Sequence, residues 1–274
     1  METTPENVSA WPKPLALDDG TYVTPPAQER LLHRLLLRSR LYYVLRFAGI
    51  VFGYWPKARK GRLDLPTWYA AAMDVFRIVE NCGGRFTIKG FSHIQSTDGP
   101  VVFVANHMST METLILPAVI FPFKKPVYVI KDQLLKVPFF REYLNHCIAV
   151  TRQSPSEDFK QVMTRGSQKI ARGLSVIIFP QATRKRIFEP EHFNSLGIKL
   201  ARRNSVPVIP LALKTDFWGE GKLIKDFGPL DVRKTIHLEF GAPIHIHGPG
   251  KKEHEQVVSF ISDRLGNWEK ENHP

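Results

Sequence analysis

The stretch FVANHMSTME, residues 103–112, changes from apolar to polar over a short distance. The apolar run that begins at Val101 and ends at Ala105 is typical of a buried strand. The polar run that follows contains His107, Ser109 and Glu112, with no glycine or proline to mark an ordinary turn. Because the residues after it have helical character, the stretch predicts a strand end followed directly by a helix start.

The same alternation of strand and helix recurs along the chain. Short β-rich runs occur at RFTIKGF (85–91), VVFVA (101–105), VYVI (127–130), IAVT (148–151), LSVIIFP (174–180) and VPVIPLAL (206–213). Helical stretches are predicted near 66–81, 109–121, 137–146, 156–172, 194–204 and 252–270. The alternation predicts a layered α/β domain with a largely parallel central sheet flanked by helices. A hairpin pair is predicted near Leu223–Phe227 and Thr235–Phe240.

Composition and charge limit the possible partners. The chain has 274 residues, of which 43% are hydrophobic, so it can bury one large core or at most two. Its formal charge of +12 predicts an anionic partner, which is nucleic acid, an anionic membrane surface or a phosphorylated substrate. No recognition-helix motif or aromatic-interleaved basic strand is found, so nucleic acid is not expected. The two cysteines lack metal-ligand spacing, which predicts free thiols in a reducing compartment.

The N-terminal region divides into two segments. Residues 1–27 carry five prolines among polar residues and no apolar run after a basic start, which predicts a loosely ordered tail and no signal peptide. Residues 28–65 are predicted to form basic amphipathic or apolar helices that associate with a membrane, because nine Lys/Arg oppose one acid, Glu29, between residues 28 and 62. The apolar run 41–55 is interrupted by Arg46 and is shorter than the roughly 20 residues that a spanning helix needs. The alternative is a helical hairpin that covers the core.

His107 and Glu112 are the candidate catalytic pair. Ser109 is the predicted N-cap and Glu112 the N3 residue, so Glu112 alone fits a capping box in which it merely binds the Ser109 amide. A general base, however, needs a carboxylate on its far ring nitrogen, and His107 in the loop can reach Glu112 in the first helical turn. Arg152 and Arg184 each follow a β-like run, which predicts that both lie near one cleft, where they can bind a phosphate.

Four blocks of sequence resemble the PlsC-like glycerolipid acyltransferase superfamily, which includes the lysophosphatidate acyltransferases, and they occur in the order of that family. NHMSTME (106–112) is similar to the family's N-H-x-x-x-x-D. KDQLLKVPFF (131–140), leading to IAVTR (148–152), resembles its K-x-x-L-x-x-x-P segment and the strand that ends in arginine. FPQATRK (179–185) is similar to F-P-E-G-T-R-S, and VPVIPLAL (206–213) to V-P-[IV]-[IV]-P. The resemblance covers roughly residues 66–245 and implies that residues 66–274 are an acyltransferase domain.

The resemblance implies an O-acyltransferase of phospholipid biosynthesis. Such an enzyme moves a fatty acyl chain from acyl-CoA or acyl carrier protein to the hydroxyl of a lysophospholipid-like acceptor, with lysophosphatidate as the leading candidate. His107 would act as the base and Glu112 would orient it, while Arg152, Gln181, Thr183 and Arg184 would bind the substrate. No cofactor or metal is expected, and the pair His245 and His247 has no third ligand at supporting spacing. The expected location is the cytoplasmic face of a membrane.

Two departures from the family pattern bear on the substrate. Gln181 and Ala182 replace the family's Glu-Gly, which removes one negative charge and adds a methyl group. Glu112 replaces the usual aspartate and is longer by one methylene. An acyltransferase of the same family with a different lipid acceptor is therefore an alternative. A second alternative is a catalytically weak lipid-binding paralogue, in which His107 would be dispensable, and a third is a nucleic-acid-binding protein, which rests on net charge alone.

Overall fold

The computed structural model describes residues 15, 17–26, 40–60, 64–136, 141, 144, 146–181, 183–221 and 228–272. One sheet contains the strands β1 (Tyr22–Val23), β2 (Arg85–Lys89), β3 (Val102–Ala105), β4 (Pro126–Lys131), β5 (Ile148–Val150), β6 (Ser175–Ile178), β7 (Val208–Lys214) and β8 (Thr235–Phe240). The α-helices of these residues are α1 (Arg40–Arg59), α2 (Leu65–Asn81), α3 (Phe91–Gln95), α4 (Met111–Ile120), α5 (Pro155–Ala171), α6 (Leu196–Arg203) and α7 (Lys251–Asn272).

The β-rich runs of the sequence all contain strands, and the helices correspond to predicted helical stretches except α3, which was not predicted. The predicted helix at 137–146 falls mostly outside the described residues, and a 3₁₀ turn at Asp132–Lys136 precedes it. The predicted strand Leu223–Phe227 also lies outside them. Local periodicity therefore located the strands from β2 to β8, but not the short strand β1.

The sheet is mixed, which corrects the expectation of a largely parallel sheet. The strand order is β1-β2-β8-β7-β3-β6-β4-β5. Five of the seven pairings among the described strands are parallel, while β1 with β2 and β7 with β8 are antiparallel. Strand β8 returns directly beside β7, without a described helix between them, and such a return makes the pair antiparallel. The predicted hairpin strand Thr235–Phe240 therefore exists, but its antiparallel partner is β7.

Both faces of the sheet are buried under helices. Side chains alternate along β3, so that Phe103 belongs to the core cluster that contains residues of α1, α2 and α4, while Val104 belongs to the cluster that contains residues of α5, α6 and α7. Helix α6 lies close to the sheet at Gly197, where an added Cβ would stand 2.4 Å from a methyl carbon of Val104. The strand ends, rather than the sheet faces, are therefore the places left for a site.

Helix α1 has one buried side and one exposed side. Tyr43, Phe47 and Ala58 are buried in the core, as the alternative of a covering helix predicts. Leu41, Leu45 and Phe52 lie on one stripe of the opposite side and are 52%, 60% and 74% exposed. Among the residues that the structure describes, no helix combines the length and apolar character needed to cross a bilayer.

Part of the predicted loose tail is attached to the sheet. Strand β1 pairs with β2, and the hydroxyls of Tyr22 and Thr24 donate to the same oxygen of Glu80 on α2, at 2.6 and 2.8 Å. Burial raises the pKa of the Glu80 carboxyl. Residues 17–26 are thus held against α2 and the sheet, while residues 1–14 lie outside the described part of the chain.

Candidate active site

The candidate site lies where neighbouring parallel strands end. Strands β6, β3 and β7 are adjacent and parallel, so their carboxyl ends meet at one edge of the sheet. His107 follows β3, Phe179 and Gln181 follow β6, and Thr215 follows β7. Binding sites of α/β sheets commonly form at this edge, because helices and loops diverge there and leave a crevice.

Asn106 explains how β3 ends without a glycine or proline. Its side chain is 1% exposed and makes two bonds with Leu213 of β7. Asn106 Nδ2 donates to the Leu213 carbonyl, and the Leu213 amide donates to Asn106 Oδ1, each at 2.8 Å. The Asn106 side chain thus makes the hydrogen bonds to β7 that the next backbone groups of β3 would otherwise make. The main chain is therefore free to turn toward α4.

His107 and Glu112 are in direct contact. The distance between His107 Nδ1 and Glu112 Oε2 is 2.5 Å, and the Glu112 side chain is fully buried. Because an ionised carboxylate can only accept, Nδ1 carries the hydrogen and Nε2 is left as an acceptor. His107 precedes α4 and Glu112 lies in its first turn, which is the placement that lets residues five apart meet.

The second oxygen of Glu112 also binds the preceding loop. Oε1 accepts from the amides of Met108 at 2.9 Å and Ser109 at 3.0 Å, and from the hydroxyl of Thr215 at 2.5 Å. The bond to Ser109 is one half of a capping box, but the other half is missing because the Ser109 hydroxyl bonds to Thr215 instead of accepting from the helix. The contacts of Glu112 are compatible with both the capping and the orienting interpretation, and its orienting role stays a prediction. The predicted N-cap was wrong by one residue, because α4 begins after Thr110, whose side chain makes no cap bond.

The imidazole of His107 is held from several directions. Its ring stacks on Phe179, with centroids 4.3 Å apart and an angle of 17° between the planes. The His107 amide donates to Gln181 Oε1 at 2.9 Å, and its carbonyl accepts from the amide of Lys185 at 2.9 Å. These contacts fix both the ring and the backbone that carries it, which a positioned base requires.

A cavity of about 520 Å³ opens beside His107, within the usual range of ligand pockets. One wall is apolar and comes from α1 and α2, through Phe47, Ile50, Val51, Trp68, Ala71, Ala72 and Val75. The other wall comes from the strand ends and their loops, through His107, Lys131, Arg152, Thr183 and Arg184. The lining thus combines apolar side chains with three cations and one acid, Glu220, and the imidazole is part of the wall.

The predicted substrate-binding residues differ in their placement. Arg152 and Arg184 line the same cavity, together with Thr183, and Arg184 Nη1 donates to the hydroxyl of Thr110. Gln181 does not line it, since its side chain is 2% exposed and accepts from the His107 amide. The structure therefore corrects the expectation for Gln181, which supports the histidine. Ala182 lies outside the described residues.

Several residues at the site had no clear signal in the sequence. Lys131 occurs in one of the four blocks but was not singled out, and it adds a third cation to the cavity. Phe179 and Thr215 approach the pair only through the fold.

The two cysteines are free, as predicted. Burial raises the pKa of Cys147 to about 12, so its thiol is a poor nucleophile at neutral pH.

Known proteins resemble the chain in both sequence and fold. Residues 85–214 match the family model described as Acyltransferase. A 1-acyl-sn-glycerol-3-phosphate acyltransferase of Pseudomonas aeruginosa is 27% identical over 248 residues, which are 89% of this chain and 90% of that protein. A putative enzyme of the same name from Caenorhabditis elegans is 30% identical over 156 residues, or 55% of this chain and 54% of that protein.

A solved structure has a similar fold. The 1-acyl-sn-glycerophosphate acyltransferase PlsC of Thermotoga maritima superposes with a TM-score of 0.57 and 20% identity, over 85% of this chain and 97% of that one. The family model covers the strands from β2 to β7 and includes His107, Glu112, Arg152 and Arg184, while Thr215 lies one residue beyond it. The chain therefore contains a match to the Acyltransferase family model at residues 85–214 and resembles 1-acyl-sn-glycerol-3-phosphate acyltransferases in sequence and PlsC in fold.

Proposed function

We propose that the chain transfers a fatty acyl chain from a thioester donor, acyl-CoA or acyl carrier protein, to the free hydroxyl of lysophosphatidate, as a step of phospholipid biosynthesis. The observation that carries this proposal is the His107–Glu112 pair on the wall of a cavity whose lining combines apolar side chains with three cations. An acyl chain fits the apolar lining and a phosphate fits the cations.

The reaction uses His107 as a general base. Nε2 accepts the proton of the acceptor hydroxyl while the hydroxyl oxygen forms a bond to the thioester carbonyl carbon. The carbon–sulfur bond then breaks, and the leaving thiolate takes the proton from the imidazolium. The products are an ester and a free thiol, with no acyl-enzyme. Glu112 keeps the Nδ1 hydrogen in place and stabilises the imidazolium while it exists.

The acceptor headgroup is assigned from the cations of the cavity. Arg152, Arg184 and Lys131 present positive charge, and the planar guanidinium matches two oxygens of a phosphate. The Gln181 contact removes one argument for a different acceptor. Its oxygen binds the His107 amide, a bond that the family's glutamate can equally make, so this departure leaves the lining of the cavity unchanged.

The acceptor is tested by turnover with one long-chain acyl-CoA and a panel of lysolipids. Lysophosphatidate should be acylated faster than lysophosphatidylcholine or monoacylglycerol, because it alone presents a phosphate monoester to the arginines. Equal rates with monoacylglycerol would argue against a phosphate site. Replacing the acyl-CoA by acyl carrier protein in the same assay identifies the donor.

Arg184→Gln should raise KM for lysophosphatidate by about 10- to 100-fold, since a charge-assisted bond to phosphate is lost. KM for monoacylglycerol should change little, because that acceptor makes no such bond. Arg186→Gln is the matched control, an exposed arginine of the same loop that does not line the cavity. An equal loss with both acceptors would mean that Arg184 supports the loop rather than the phosphate.

Helix α1 is the proposed membrane contact, at the cytoplasmic face. Leu41, Leu45 and Phe52 form its exposed apolar stripe, and Arg46 and Lys57 of the helix and Lys60 just after it are also exposed. An apolar stripe beside cations is typical of a helix that lies in the interface of an anionic bilayer. The buried side of α1 lines the cavity through Phe47, Ile50 and Val51, so a lipid substrate would reach the site from the helix that touches the membrane.

Replacing Leu41, Leu45 and Phe52 together by glutamine should lower binding to phosphatidylglycerol vesicles by about tenfold or more. The three side chains would otherwise enter the acyl boundary, and they are exposed in the free protein, so folding should be preserved. Vesicle co-sedimentation at physiological salt measures the effect. Val23→Gln on β1, where Val23 is 59% exposed, is the control. Unchanged binding of the triple variant would exclude this stripe as the contact.

A further inference from the structure

A chain of buried hydroxyl groups stands behind the catalytic pair. Ser109 Oγ donates to Thr215 Oγ1 at 2.9 Å, and Thr215 Oγ1 donates to Glu112 Oε1 at 2.5 Å. All three side chains are buried, and Thr215 and Glu112 are fully so. The direction of both bonds follows from chemistry, because the ionised carboxylate accepts the Thr215 hydrogen and Thr215 then accepts that of Ser109.

Glu112 depends on such contacts for its orientation. The terminal torsion of a glutamate side chain is broad, so rotamer preference alone does not fix the plane of the carboxylate. Oε1 is held by two amides from the loop and by the Thr215 hydroxyl from the end of β7. With Oε1 fixed, Oε2 is directed at His107 Nδ1. The Thr215 bond comes from a different element than the amides, so it ties the carboxylate to the neighbouring strand as well as to its own loop.

We infer that Thr215, with Ser109 behind it, is a positioning residue that sets the carboxylate of Glu112 against His107 for acyl transfer. This inference rests on the proposed function. Thr215 touches neither substrate, since it is fully buried behind Glu112, and so it acts through the pair. Its two bonds give it a role that valine cannot fill and that serine can.

The test compares Thr215→Val with Thr215→Ser in the full-length protein, using lysophosphatidate and one long-chain acyl-CoA. Valine keeps the shape, removes the donor to Oε1 and leaves the Ser109 hydroxyl without its acceptor. We expect kcat to fall by about tenfold or more, with KM for both substrates within about twofold of wild type. Thr215→Ser should restore most of kcat. Ser109→Ala, which removes only the outer bond, should lower kcat by a smaller factor in the same direction.

A spectroscopic signal separates positioning from general loss of structure. The proton on Nδ1 of His107, in its short bond to Glu112, should give a far-downfield NMR resonance that is absent from His107→Gln. We expect this resonance to move upfield and broaden in Thr215→Val, and to return in Thr215→Ser. Thr97→Val is the matched control, because Thr97 is also buried but donates to the carbonyl of His93, away from the pair. It should change neither kcat nor the resonance.

The outcomes distinguish this inference from the function on which it rests. If wild-type protein turns over none of the lysolipids, the proposed function fails, while the resonance still reports whether Thr215 positions Glu112. If Thr215→Val has the wild-type kcat and resonance, the positioning role is refuted. A lower kcat with an unchanged resonance, or the same loss in Thr97→Val, would also refute it, because the effect would then be one of packing alone.

Discussion

Replacing His107 by alanine is expected to lower kcat by about 10²–10⁴-fold while the protein remains folded. The imidazole, paired with the buried carboxylate of Glu112, supplies the acceptor for the hydroxyl proton. Glu112 keeps its bonds to Met108, Ser109 and Thr215 after the substitution, so its buried negative charge still accepts three hydrogen bonds.

The measurement is steady-state acylation of lysophosphatidate, together with the melting temperature of each variant. His192→Ala is the control, because that histidine is 63% exposed and lies outside the cavity. Activity of His107→Ala within tenfold of wild type, at an unchanged melting temperature, would rule out His107 as the base. Such a result would favour the lipid-binding paralogue among the alternatives.

Glu112→Gln should also lower the rate by orders of magnitude, about 10²–10⁴-fold, at a small cost in stability. The three donors to Oε1 would hold the amide oxygen in that position. The amide nitrogen would then face His107 Nδ1 and donate to it. His107 would therefore carry its hydrogen on Nε2, where it can no longer accept a proton, and its imidazolium would lose the neighbouring charge.

Glu112→Asp should retain more activity than Glu112→Gln, because it keeps the carboxylate that the family normally has, although the side chain is shorter. Rates and melting temperatures of the two variants, measured together, separate orientation from capping. If Glu112→Gln were as active as wild type, Glu112 would be only a capping residue and His107 would lack a functional partner.

Much of the fold and the central pair could be predicted from local sequence. Strand and helix periodicity located the strands from β2 to β8 because both faces of the sheet are buried and the apolar runs are correspondingly clear. His107 and Glu112 are only five residues apart, so the position of the boundary between strand and helix is enough to predict that their side chains can meet. The exact first residue of α4 was missed, since Ser109 and Thr110 are adjacent and both belong to residue types that commonly cap helices.

Features that depend on distant parts of the chain could not be predicted in this way. The antiparallel pairing of β8 with β7 depends on how the segment between the two strands returns to the sheet. Neither strand carries a sequence pattern that indicates this direction. Gln181 was assigned to substrate because of its block, whereas its side chain turns inward to the His107 amide. Thr215 contacts Glu112 across 103 positions of sequence, and no local periodicity marks such a contact.

The hydrogen bonds that join the strand ends also determine when the site can form during translation of the protein. Asn106 is joined to Leu213, Ser109 to Thr215 and His107 to Gln181, over separations of 74 to 107 positions. A nascent chain that ends before residue 215 lacks the hydroxyl that binds the carboxylate, and one that ends before residue 213 also lacks the partner of the asparagine. Since contacts of such long range form late and slowly, the ribosome would release almost the whole domain before the base is aligned, and shortened translation products would carry the sequence blocks without an assembled site.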